Sequence, residues 1–325
     1  MSFHEIMNQT KVKQKLQNGL KMNKVSHAYL FTGPSGTGKR KMALNFAKAI
    51  FCIKKIDDAC DQCIECKKFE HGNHPQLRLV EPDGNHIKIE QIRELQKNFS
   101  YKMNENQTKI YILFKADRLT TQAANSLLKF LEEPSSNVVA VLIADNGQAV
   151  LPTIRSRSQW ISFQPQLSEK MAEQLIQEGF ASELVNSGVR LTSGLEEARE
   201  LIQLNSFAEI RGIMIQLAKE SLNKFSEASI TAQQKIFKSN LTDELNVLLD
   251  LFILWFKDII QIQCGKKDKL VFEDQIPWLE KNAFTRQMNE WVQCMEIAIN
   301  TKKKLRFNVN PQLALDQFMI QIKGG

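Results

Sequence analysis

The residues Gly33-Pro34-Ser35-Gly36-Thr37-Gly38-Lys39 carry the first chemistry that this sequence suggests. They fit the pattern GxxxxGK and lie between a short apolar run, Ala28–Thr32, and a helical pattern with apolar Ala43, Phe46, Ala47, Ile50 and Phe51. In that setting Gly33, Gly36 and Gly38, with Thr37 between them, let backbone N–H groups turn toward a phosphate. The helix N-terminus adds positive potential, and Lys39 reaches the β- and γ-phosphates. A tight strand-to-helix turn without a ligand is the plainer reading of the same glycines.

Hydrolysis asks for more than a cradle. The position after the lysine should be Ser or Thr, whose hydroxyl holds magnesium, and here it is Arg40, a cation that would repel one. An acidic pair is expected at the tip of the strand Lys109–Phe114, but Lys115 and Ala116 follow it. Asp117 comes too late and is followed by Arg118. Without a metal-holding Asp and a water-polarising Glu, γ-phosphate transfer loses its main electrostatic support. The expectation is a loop that binds ATP or ADP weakly and turns over little or none.

The second constellation is Cys60-x2-Cys63-x2-Cys66 with Cys52 eight residues ahead, four sulfurs within fifteen residues. Thiolates at this spacing suit tetrahedral zinc, and a closed four-sulfur shell makes a structural site. A lesser alternative replaces Cys52 with His71 or His74. Met1–Thr10 has no apolar core of a signal peptide, so a cytoplasmic, reducing location is expected, which disfavours disulfides. Cys264 and Cys294 sit in apolar helical patterns and are expected in the core.

These groups need a scaffold. Strand signals fall at Ala28–Thr32, Leu77–Glu81, Lys109–Phe114, Val138–Ala144 and Gln159–Phe163, separated by helical patterns such as Lys88–Phe99 and Thr121–Glu133. Buried strands alternating with helices argue for a parallel α/β sheet covered on both faces. After Phe163 the strand signals stop. Ser168–Gly179 and Leu195–Leu204 read as short helices joined by polar turns around Ser187–Gly188 and Ser193–Gly194. From Phe207 onward the pattern is helical, and Leu241–Cys264 is apolar on more than one face, so it must be covered on several sides. Charges interrupt that stretch, which excludes a membrane span. An apolar content of 43% and a net charge of +7 in 325 residues describe a globular chain with a mild basic excess. Lys302-Lys303-Lys304 reads as a solvated helix face.

Three stretches, HAYLFTGPSGTGK (His27–Lys39), NSLLKFLEEP (Asn125–Pro134) and LPTIRSRS (Leu151–Ser158), resemble in order and spacing the clamp-loader subunits of bacterial DNA polymerase III. The likeness is to the delta-prime branch, with its ATPase relatives gamma and tau close behind. It implies an α/β parallel-sheet P-loop (AAA+-like) domain over residues 1–165 carrying a zinc module at 52–66. A small helical lid domain over 166–207 and an all-α collar domain over 208–325 would follow. By the same resemblance Arg157, in Ser156-Arg157-Ser158, reaches the ATP site of an adjoining subunit and stabilises charge on the γ-phosphate, whereas Arg155 better fits a strand-capping role. Ser158 departs from the cysteine of the family's Ser-Arg-Cys, a change that leaves the guanidinium intact. Glu132-Glu133-Pro134 would face subunits and DNA. Active relatives carry an arginine in a lid turn where this chain reads Ser193-Gly194-Leu195-Glu196, and the polar sensor position falls at Asp145 or Asn146.

The resemblance thus implies a subunit without intrinsic ATPase activity in a polymerase holoenzyme. Its partners would be the delta and gamma/tau subunits, and through the complex the sliding clamp and primed DNA. One rival is an active ATPase of the gamma/tau type. Another is a zinc-dependent DNA-binding module, for which the sequence offers no base-reading element.

Overall fold

The structure is a computed structural model and describes residues 3, 9–54, 57–100, 108–132, 137–239, 241–307 and 309–323. Glu133 and Pro134 of the NSLLKFLEEP stretch lie outside them. The chain divides into two compact units, Met1–Gln166 and Leu167–Gly325.

The first unit contains α1 (Thr10–Lys21), β1 (Ala28–Thr32), α2 (Lys39–Phe51), α3 (Ile64–Glu70), β2 (Leu77–Val80), α4 (Ile89–Ser100), β3 (Lys109–Leu113), α5 (Thr121–Glu132), β4 (Val138–Ala144), α6 (Pro152–Ser156) and β5 (Gln159–Ser162). Its five strands are all parallel, in the order β2-β3-β4-β1-β5. Every residue of β1 and β4 is buried, which explains why both are continuous apolar runs. Alternate side chains serve opposite faces. Tyr29, Phe31, Ile110, Ile112, Val139 and Val141 join the core against α1 and α2, while Ala28, Leu30, Tyr111, Leu113, Ala140 and Leu142 join that against α4 and α5. Because β4 and β5 flank β1, the turns after β1 and β4 open at the same carboxyl edge, where ligands of such sheets bind.

The second unit is helical: α7 (Ser168–Gln177), α8 (Ser182–Leu191), α9 (Leu195–Gln203), α10 (Asn205–Asn223), α11 (Phe225–Ala232), α12 (Leu245–Gln263), α13 (Ile276–Ala283), α14 (Met288–Leu305) and α15 (Pro311–Lys323). One apolar core runs through it from Met171 to Ile322. The expected turn at Ser187–Gly188 is instead the interior of α8. The Ser187 hydroxyl donates to the Glu183 carbonyl at 3.0 Å, which satisfies it inside the helix. Gly188 is there because a Cβ would stand 2.7 Å from Ile202 Cγ1, so α8 and α9 approach through the missing side chain.

α12 buries residues around its circumference, among them Leu248, Leu251, Phe252, Trp255 and Ile259, and finds its cover in α10, α13 and α14 of the same chain. Cys294 is buried as expected, but Cys264 is exposed. It caps the end of α12, where the helix has already left the core.

Candidate functional site

The glycine-rich loop, read in the sequence as a phosphate cradle, joins β1 to α2. Gly36 and Gly38 adopt φ of 77° and 84°, values that side chains tolerate poorly. Gly33 has a second reason to be glycine: a Cβ there would meet the Phe163 carbonyl oxygen at 2.4 Å, since β5 closes against β1 at this point. The Thr37 hydroxyl donates to the Pro34 carbonyl at 2.8 Å and braces the loop. Lys39 opens α2 with its side chain only 6% exposed. Its ammonium donates to the carbonyls of Gly33 and Pro34 and pairs with Asp145 Oδ1 at 2.9 Å.

The metal-handling side of the cradle is differently built. Arg40 pairs with Glu81 at 2.7 Å and lays its guanidinium 4.1 Å from the centre of the Phe114 ring. Phe114 follows directly on β3, so an apolar ring under a cation stands at the strand tip where a carboxylate pair would be needed. Asp117 lies beyond it and has another task. Its two carboxylate oxygens accept the N–H groups of Asp145 and Asn146, each at 3.4 Å. Asn146 in turn spends its side-chain oxygen on the Gln148 N–H at 3.0 Å, capping the short turn Gly147–Ala149.

The two arginines of LPTIRSRS behave differently. Arg155 donates to Gln148 Oε1 and lies 5.9 Å from the Trp160 ring, packing α6 onto its own sheet. Arg157, at the end of α6, is 37% exposed and is held from behind. It donates to the Thr153 carbonyl at 3.1 Å and pairs with Glu132 Oε1 at 2.8 Å, so the two stretches NSLLKFLEEP and LPTIRSRS meet in this ion pair.

On the far end of α2 the four sulfurs of Cys52, Cys60, Cys63 and Cys66 lie within 4.8 Å of one another. Zinc–sulfur bonds of about 2.3 Å in a tetrahedron put sulfurs about 3.8 Å apart, so the cluster fits that ion. Backbone N–H groups of Cys60, Cys63 and Cys66 point at the sulfurs of Cys52, Cys60 and Cys63 at 3.4–3.5 Å. Burial pushes the Cys63 thiol up, but N–H donation from Ile53 and Cys66 outweighs it and brings the thiol down to about 6. His74 is outside this group. It stacks on Phe51 at 3.7 Å between ring centres and has Nε2 3.0 Å from Glu65, an ion-pair distance without hydrogen-bond alignment.

Lys48 ties the cysteine module to α2. Its fully buried side chain reaches Asp61 beside the cysteines and Glu70 on α3. Burial lowers its affinity for a proton, but the two carboxylates outweigh this and lift it to about 12. In the second unit Glu196, of the Ser193–Glu196 stretch, pairs with Arg199 at 2.7 Å, and Glu178 holds the same guanidinium at 2.8 Å.

Comparison with known proteins gives this geometry a lineage. A family model described as DNA polymerase III, delta subunit, matches residues 8–167. DNA polymerase III subunit delta' of Bacillus subtilis is 36% identical over 320 residues, covering 98% of this chain and 97% of that protein. The chain belongs to the delta-prime family of DNA polymerase III subunits. The tau subunit of the same organism is 28% identical over 293 residues and spans 84% of this chain but 48% of tau, so gamma/tau kinship is the less specific one. A gamma subunit-related protein of Thermotoga maritima superposes with a TM-score of 0.46 at 17% identity, over 96% of this chain and 98% of that one.

Within this delta-prime chain the structure joins Gly33–Lys39 into one cradle and the four cysteines into one cluster, and it sets Arg157 apart from both. Sequence reasoning weighed Asp117 only as a metal-holding acid and Asp145 only as a polar sensor, and missed the contacts they make at the loop's edge. The signal available was their position just after β3 and β4, the strands whose tips border β1. Glu132 as the partner of Arg157 had no signal beyond the motif that contains it. Among the described residues no helix is long and apolar enough to cross a membrane.

Proposed function

We propose that the chain is a clamp-loader subunit that donates Arg157 to the nucleotide site of a neighbouring subunit and hydrolyses little or no ATP itself. The observation that carries this reading is the contrast between Arg157 and the cradle. The guanidinium is part-exposed and anchored by Glu132, whereas Arg40, Phe114 and Lys115 occupy the places where magnesium ligands are needed. A guanidinium delivered in trans offsets charge that develops on the γ-phosphate and is worth roughly 10³–10⁵ in rate. Glu132 limits the rotamers of Arg157 before a partner arrives, which reduces the entropy lost on docking.

Zinc is the metal that fits Cys52, Cys60, Cys63 and Cys66, and when bound it supplies a cross-link with no open position for chemistry. Cys52 ends α2, so that cross-link would fix the far end of the cradle's helix, with Lys48 beside it. The helical unit divides by function into a lid over 166–207 and a collar over 208–325. α12 is already covered, so contacts with other collars would use exposed side chains elsewhere, such as Phe307 and Leu313. The partners are the delta and gamma/tau subunits, and through them the sliding clamp and primed DNA.

The test is the purified chain with ATP and magnesium, alone and mixed with those subunits. Phosphate release by the complex and none by the chain alone supports the reading. Release by the lone chain that disappears in Lys39→Ala favours an active gamma/tau-type enzyme instead.

A further inference from the structure

The Lys39 ammonium has three N–H donors, and three oxygens are in place for them: the Gly33 and Pro34 carbonyls and the Asp145 carboxylate. A phosphate entering the loop must therefore displace an acceptor before the lysine can serve it, and Asp145 is the charged one. Nor is Asp145 loosely placed. The Asp117 carboxylate accepts the N–H groups of Asp145 and Asn146, which holds the turn after β4 toward the loop after β1. Arg40, the next residue along α2, is engaged by Glu81 and Phe114.

We propose that Asp145 determines what the Gly33–Lys39 loop accepts: its carboxylate is a built-in counter-ion for Lys39 and disfavours nucleoside diphosphates and triphosphates. The side chain is 46% exposed, so it can swing aside, but a polyphosphate then lies beside an added negative charge as well as lacking its magnesium ligand. The residue acts as a selectivity determinant and touches no reacting atom. This inference rests on reading the loop as a phosphate cradle and is independent of what Arg157 does for a neighbour.

The experiment measures ADP binding to the full-length chain by titration calorimetry in EDTA, so that the missing magnesium ligands do not enter. Asp145→Asn keeps the shape and removes the charge, and Asp145→Ala removes the acceptor as well. Both should bind ADP roughly tenfold or more tightly than the unaltered chain. Adding Lys39→Ala to either should cancel the gain. Equal affinity in all three proteins overturns the proposal, and so does a gain that survives the loss of Lys39. Neither outcome bears on Arg157, whose role is read only in the assembled complex.

Discussion

Asp258 should tune the stability of the helical unit in a defined pH window. It is fully buried on α12, and its Oδ2 accepts the N–H groups of Val271 and Phe272, each at 2.8 Å. Its Oδ1 has no hydrogen-bond partner among the described residues. Burial pushes the carboxyl up from 3.8 to about 6, against the opposing pull of the two amides, Lys257 and Arg190. The folded chain therefore holds this proton more tightly than the unfolded chain does. The penalty for ionising it is absent where both states are protonated, grows as pH rises through the window, and is complete above about 6. A difference of about two pK units gives a full cost of about 3 kcal/mol, of which about 0.6 kcal/mol is present at pH 4 and nearly all at pH 7. Asp258→Asn keeps a carbonyl acceptor for the two amides and cannot ionise. Measured by urea denaturation through tryptophan fluorescence, the variant should gain on the parent by about 2 kcal/mol between pH 4 and pH 7. Trp255, Trp278 and Trp291 report on this unit. All other titrations cancel in that difference. A variant-minus-parent difference that is flat with pH would refute the argument.

Zinc content and the fold of the first unit should move together. Elemental analysis is expected to find about one zinc per chain, and Cys63→Ala or a strong chelator should lower both the metal content and the melting temperature of that unit. Metal-free protein that melts unchanged contradicts the site. In the second unit, Gly188→Ala should destabilise by about 1–3 kcal/mol in spite of alanine's better helix propensity, because Ile202 must give way. A stabilised variant in chemical denaturation would show that α8 and α9 separate at little cost.

Much of the first unit was legible because buried parallel strands are continuous apolar runs between turn residues. β1 and β4 fall where the pattern places them, and the other strands differ from expectation by a residue at one end. Reading failed where a local signal has a tertiary cause. Ser187-Gly188 looks like a turn, but the glycine is a contact with Ile202 and the serine bonds its own helix. Cys264 fits the apolar period of α12 yet stands one residue past the helix, outside the core. At the loop, the sequence itself shows Arg40 after Lys39 and no acidic pair after β3. Contacts such as Lys39–Asp145 and Arg157–Glu132 join residues far apart in sequence and depend on which strands are neighbours, which no local pattern encodes.

The claim that this subunit gives away an arginine while its own cradle stays silent is tested most directly by ATP turnover of the reconstituted complex. Arg157→Ala should assemble normally, and hydrolysis at the site it faces should fall by roughly 10³-fold or more, with total turnover losing that site's share. Arg155→Ala, which alters a contact within the chain, should leave that turnover in place. A complex carrying Arg157→Ala that hydrolyses ATP at the parent rate would contradict the account.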